Sequence, residues 1–134
     1  MTVLPTISFS KISEPKKGTV VLFVPKGGKP PAIAADIDPS GVVARAMDVS
    51  KFNGKLKSVV DIVAPSGAQV DRILVVGAGE SESLKEGDWA ALGGAVRART
   101  AAEKNLSVVL ECGGIDIAPE AAAAFAQGLD LRAY

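Results

Sequence analysis

Histidine is missing from this chain of 134 residues, and cysteine occurs once, as Cys112. Without an imidazole there is no Ser-His-Asp arrangement, no Cys-His pair and no histidine-based zinc cluster. Cys112 closes a mostly apolar run and is followed by Gly113-Gly114, with no basic residue beside it. A nucleophilic thiolate needs a nearby cation or a helix N-terminus to lower its pKa. Cys112 therefore reads as a buried, inert side chain.

Two further patterns invite a chemical reading. Gly77-Ala78-Gly79 ends an apolar run and precedes a helical stretch, the setting of a dinucleotide-binding turn. The third glycine of that fingerprint would fall where Glu82 stands, and Glu80 adds a second negative charge. Both oppose a pyrophosphate, so a tight turn is the better reading. No Gly-Lys-Ser or Gly-Lys-Thr occurs, which removes the Walker pattern. Asp36 and Asp38 are close together in a Pro-rich passage. A carboxylate metal site draws ligands from several segments, so these two read as a solvated pair. Lys16, Lys17, Lys26, Lys29, Lys51, Lys55 and Lys57 give the first half a basic bias that amounts at most to a weak phosphate-attracting face. No residue is assigned a catalytic, cofactor-binding or metal-ligating role.

The elements that hold these residues follow from periodicity. Thr19 to Val24 is an almost wholly apolar, β-branched run closed by Pro25-Lys26-Gly27-Gly28, the pattern of a strand buried on both faces. Asp38-Pro39-Ser40 offers a helix start, with the helix running to about Asp48. Lys57 to Val63 and Arg72 to Val76 read as strands separated by the turn Pro65-Ser66-Gly67. From Leu84 to about Lys104 the period becomes helical: Trp89, Leu92, Val96 and Thr100 share one stripe, while Arg97, Arg99 and Glu103 lie largely off it. Asn105 is the expected left-handed stop. Leu106 to Glu111 is a further strand, punctuated by Gly113-Gly114. Gly93-Gly94 in mid-helix costs stability, about 1 kcal/mol each, and implies a close approach to a strand or subunit. The order strand, helix, strand, helix predicts parallel pairing, and early strands joined by turns predict a mixed sheet. The expected architecture is a three-layer α/β/α domain spanning residues 1–134.

Composition agrees with a globular fold: 48% hydrophobic and 22% charged residues, with 15 basic and 15 acidic side chains. That balance lacks the footprint of a dedicated nucleic-acid binder. The single cysteine fits a reducing compartment, no signal peptide is evident, and no apolar run is long enough for a membrane span; a cytoplasmic location is expected. The last stretch, from Pro119 to Tyr134, reads as a helix whose Gly128 comes too early to stop it, with Leu129, Leu131 and Tyr134 following. It suggests a domain cut from a larger protein.

Several segments together resemble the N-terminal domain of the leucyl (cytosol) aminopeptidase family. They are Phe52-Asn53-Gly54-Lys55, Arg72 through Gly79, the helix around Gly93-Gly94-Ala95, and Gln127-Gly128-Leu129-Asp130-Leu131-Arg132-Ala133-Tyr134. Gln127 departs from the glutamate usual at that place. The resemblance implies a macro-domain-like fold followed by a linker and a C-terminal catalytic domain. It further implies a two-metal, manganese- or zinc-dependent exopeptidase, assembled as a homohexamer, that removes N-terminal residues such as leucine. The Asn-Thr-Asp-Ala-Glu-Gly-Arg-like motif of the catalytic domain is absent from this sequence, so no catalytic residue or metal ligand carries over. The expected function is accessory: assembly and access to the catalytic domain. Two other readings stand beside it, a macro-domain-like module binding ADP-ribose and an accessory DNA-binding domain.

Overall fold

A computed structural model describes residues 6–10, 18–100 and 105–132. Its element order is β1 (Thr6–Ser10), β2 (Thr19–Pro25), α1 (Ala34–Ile37), α2 (Val42–Val49), β3 (Val59–Val63), β4 (Arg72–Gly79), α3 (Glu86–Arg99), β5 (Asn105–Val109), β6 (Glu111–Cys112), β7 (Ile115–Asp116) and α4 (Pro119–Arg132). Five strands form one sheet in the order β1-β5-β2-β4-β3. All pairs are parallel except β3 with β4, which are antiparallel. The mixed, largely parallel sheet expected from the element order is present.

Side-chain alternation along the strands builds two cores. On one face Val21 and Phe23 of β2, Leu74 and Val76 of β4, and Leu106 and Val108 of β5 pack against α3 and α4. On the other, Val20, Leu22, Val24, Ile73 and Val75 pack against α1 and α2. Both faces are covered, which is why β2 and β4 read as continuous apolar runs. Phe23 is central to the first core: its ring meets Trp89 and Phe125 edge-on, at centroid distances of 5.4 and 5.2 Å. Such pairs add to plain area burial.

Several sequence expectations are corrected. Asn105 does not stop a helix but begins β5; α3 ends at Arg99, with Thr100 as its cap. Residues 101–104, which the longer helix would have included, lie outside the described residues, as do Lys16, Lys17 and Tyr134. Arg97 is not on an open face: it is 3% exposed. It follows Gly93, which faces α4, by one turn of the helix. The glycine pair acts differently from expectation. A Cβ on Gly93 would collide with the Phe125 carbonyl, whereas one on Gly94 would meet open space. Gly128, in contrast, behaves as expected and does not stop the last helix: it lies inside α4 and packs on the backbone of Ala90.

Candidate functional site

β2 and β4 are parallel neighbours whose chains leave their C-terminal ends in opposite directions. From β2 the chain passes to α1 and α2 on one face; from β4 it passes to α3 on the other. In open α/β sheets such a divergence leaves a crevice, the usual place for a ligand. Here the crevice is a cavity of about 470 Å³ lined by Pro25, Lys26, Gly79, Glu80, Glu82 and Cys112. A second cavity of about 230 Å³ shares Glu82 and Cys112 with it and extends over Leu84, Trp89, Ile117 and Ala121.

The local sequence builds this cleft in identifiable steps. Gly77 and Gly79 are the last residues of β4 rather than a free loop. The segment around Gly54 to Ser58 is laid across them: the Gly79 N–H donates to the Gly54 carbonyl at 2.9 Å, and the Lys57 N–H to the Gly77 carbonyl at 3.0 Å. A Cβ at position 77 would strike the Lys55 carbonyl. The glycine pattern thus serves backbone packing within the strand and is not the tight turn that was expected, and Ala78 is the extra residue where the β2–β4 register shifts.

Beyond β4 the chain turns through a short 3-10 segment, Ser81–Ser83, in which the Ser83 hydroxyl donates to the Glu80 carbonyl at 2.9 Å. The Lys85 N–H then donates to the Asp88 carboxylate at 2.9 Å and starts α3. The far wall is the hairpin β6–β7, in which Cys112 pairs with Ile115 around Gly113-Gly114. Both glycines have positive φ, 63° and 81°, as a two-residue hairpin turn requires. That signal was present in the sequence as a Gly-Gly pair, but strands of two residues have no periodicity to reveal them.

The other candidates fall elsewhere. Cys112 is buried, 4% exposed, and serves as cleft floor. Asp36 is exposed, but Asp38 is not the solvated residue that was expected. It is 4% exposed, and one carboxylate oxygen accepts the Val43 N–H at 2.7 Å, capping α2. Its Oδ1 has no hydrogen-bond partner. Lys26, Lys29, Lys51, Lys55 and Lys57 are all exposed. They stand on two loops joined by a hydrogen bond from the Gly27 N–H to the Asn53 carbonyl, 2.7 Å. The fold therefore gathers five lysines at the same end of the molecule as the cleft. Among the described residues no three His, Cys, Asp or Glu side chains are placed to hold a metal ion. The residues present do not fit such a centre, and no chemistry is routed through one. No described helix is long and apolar enough to cross a membrane.

The comparisons with known proteins converge. Residues 19–134 match the family model described as the cytosol aminopeptidase family, N-terminal domain. The chain is 37% identical over its full length to a "Probable cytosol aminopeptidase" of Chelativorans sp., covering 27% of that protein. It is 40% identical over 95% of its length to one of Sinorhizobium fredii, covering 26% of it. It is also 40% identical over its full length to one of Rhizobium rhizogenes, covering 27%. The chain thus spans about a quarter of the length of the curated relatives it matches.

Proposed function

This chain belongs to the cytosol aminopeptidase family, as its N-terminal domain, and from that premise we propose that it is the non-catalytic, accessory domain of a metal-dependent aminopeptidase. The observation that carries the proposal is the coverage: the whole chain aligns with only about a quarter of each relative, at 37% to 40% identity. In this reading the two divalent metals, manganese or zinc, and the residues that cleave peptides belong to a C-terminal catalytic domain. This domain contributes to assembly of a homohexamer and shapes access to the active sites, in the cytoplasm. The Asn-Thr-Asp-Ala-Glu-Gly-Arg-like motif expected of that catalytic domain does not occur in these 134 residues, in keeping with the division of labour. The test is hydrolysis of leucine p-nitroanilide by the 134-residue chain with manganese or zinc added. No turnover above buffer is expected; turnover that a chelator abolishes would overturn the proposal.

One observation favours an additional role in binding a polyanion such as DNA, namely the five exposed lysines that two joined loops bring together. Attraction of this kind is nonspecific and falls steeply with salt. Duplex binding lost at modest salt is the expected behaviour, and binding that survives physiological salt would point to a dedicated site. The cleft is a poorer match for ADP-ribose, because Glu80 and Glu82 line it where a pyrophosphate would need donors.

A further inference from the structure

We propose that the groove between Pro30-Pro31 and the start of α2 binds a small aromatic molecule carrying a neutral N–H or O–H donor, such as an indole or a phenol. The groove measures about 420 Å³, within the roughly 300–1,000 Å³ of small-molecule sites. It shares no lining residue with the cleft at the ends of β2 and β4. Pro30, Pro31 and Pro39 line it, together with the buried residues Val43 and Asp38. Asp38 is held there at three points. Its N–H donates to the Ala34 carbonyl at 2.8 Å, and its carbonyl accepts the Gly41 N–H at 3.2 Å. Its Oδ2 accepts the Val43 N–H at 2.7 Å. The other carboxylate oxygen, Oδ1, is buried with no hydrogen-bond partner, and turning the carboxylate to satisfy it gives up the cap on α2. Buried acceptors are ordinarily paired. Oδ1 is therefore a fixed acceptor for a donor seated in the groove.

The surrounding charges select a neutral donor. A cation approaching Oδ1 meets Lys29, which also lines the groove, and the N-terminus of α2, the positive end of its dipole. An anion meets the Asp38 carboxylate itself. A neutral N–H or O–H makes a charge-assisted bond to that carboxylate and meets neither conflict. The three prolines select the body that carries the donor. Proline rings pack on aromatic faces where Pro-rich peptides are recognised, and the groove offers the same contact with the roles exchanged. Among the described residues the exposed large apolar side chains are Val49 and Val63, at the far end of α2 and on β3. No large apolar side chain therefore extends the groove toward the roughly 800 Å² per partner of a stable protein interface, and the occupant is a free small molecule.

The test is a titration of the 134-residue chain with indole, followed by amide chemical shifts. Saturable shifts at Ala35, Gly41 and Ala44 are expected. 1-Methylindole keeps the ring and lacks the donor, so it should bind about tenfold more weakly, the loss of one hydrogen bond to a charged acceptor. Asp38→Asn retains a carbonyl to cap α2 and turns an amide donor toward the groove, so it should weaken indole by a similar factor. Ala44→Leu, at an exposed position on the groove wall, should abolish the shifts and leave the rest of the spectrum unchanged. The inference is overturned if indole gives no saturable shift, or if 1-methylindole binds as well as indole, which would make the groove a plain apolar surface. Tighter binding of benzamidine would overturn the choice of a neutral donor. Tighter binding of N-acetyl-L-tryptophanamide than of indole would overturn the free ligand in favour of a partner's side chain. None of these outcomes bears on the accessory-domain proposal, which is tested by hydrolysis.

Discussion

Gly93 of α3 lies directly against the backbone carbonyl of Phe125 in α4, and Gly128 of α4 lies in the same way against the carbonyl of Ala90. The two helices thus meet backbone to backbone, each supplying the glycine that admits the other. Phe125 is brought onto Phe23 by this approach, which ties the helix crossing to the centre of the sheet. Gly93→Ala or Gly128→Ala forces the helices apart, and overpacking of this kind costs about 1–3 kcal/mol. Gly94→Ala is the internal control. It meets open space and removes a poor helix former, so it should stabilise by up to about 1 kcal/mol. Urea denaturation of the three variants checks the opposite signs.

A comparable close approach closes the cleft. The Gly77 position abuts the Lys55 carbonyl and the Gly54 position abuts the Pro25 carbonyl. Gly54 also has φ of +83°, which only glycine adopts without strain. Gly54→Ala should therefore lose about 1–3 kcal/mol from the combined steric and backbone penalties. Thermal unfolding measures it, and an unchanged midpoint would contradict the packing described.

Asp38 makes a separate prediction. Its carboxylate caps α2 through the Val43 N–H, so Asp38→Ala should cost about 1 kcal/mol. Asparagine retains an acceptor for that N–H and removes a buried charge, so Asp38→Asn should be the more stable of the two. Denaturant midpoints give the ordering directly.

The edge strand β3 carries an ion pair at its middle residue, Asp61. Arg72 donates from Nε to one Asp61 oxygen at 2.8 Å and from Nη2 to the other at 2.5 Å. That hydrogen bonding holds the Asp61 carboxyl below the ordinary aspartate value of 3.8, against the opposing effect of partial burial; the charges of Arg72 and Arg99 add to the lowering. In the unfolded chain Asp61 binds its proton near the ordinary value, while the folded chain resists it to lower pH. The pair's stabilisation is therefore complete above the unfolded value and fades as pH falls from there through the folded one. For a pair this exposed it amounts to less than about 1 kcal/mol. Comparing Asp61→Asn with the parent chain across acidic pH should show a difference that is constant near neutrality and vanishes in acid.

How far the sequence discloses this architecture depends on how each residue is buried. β2 and β4 are plain in the sequence because both their faces are covered, and the stripe of Trp89, Leu92 and Val96 is plain because one face of α3 meets the sheet. β1 was missed; Thr6-Ile7-Ser8-Phe9-Ser10 alternates weakly over five residues, as an edge strand does. Arg97 and Asp38 were misplaced for a common reason. Their burial is produced by neighbours distant in sequence or by a cap, and periodicity within one element carries no trace of either. The cleft was legible only as separate pieces, Gly77-Ala78-Gly79, Glu80 and Glu82, and Gly113-Gly114. Their convergence needed the order of strands, which no local pattern states.

The central claim is that this fold is one part of an aminopeptidase whose chemistry resides elsewhere in the polypeptide. Reading the native gene beyond the codon for Tyr134 tests it most directly. The account predicts an open frame continuing for several hundred residues and encoding clustered Asp, Glu and Lys with an Asn-Thr-Asp-Ala-Glu-Gly-Arg-like motif. A stop codon immediately after Tyr134 would contradict it and leave a domain that acts alone.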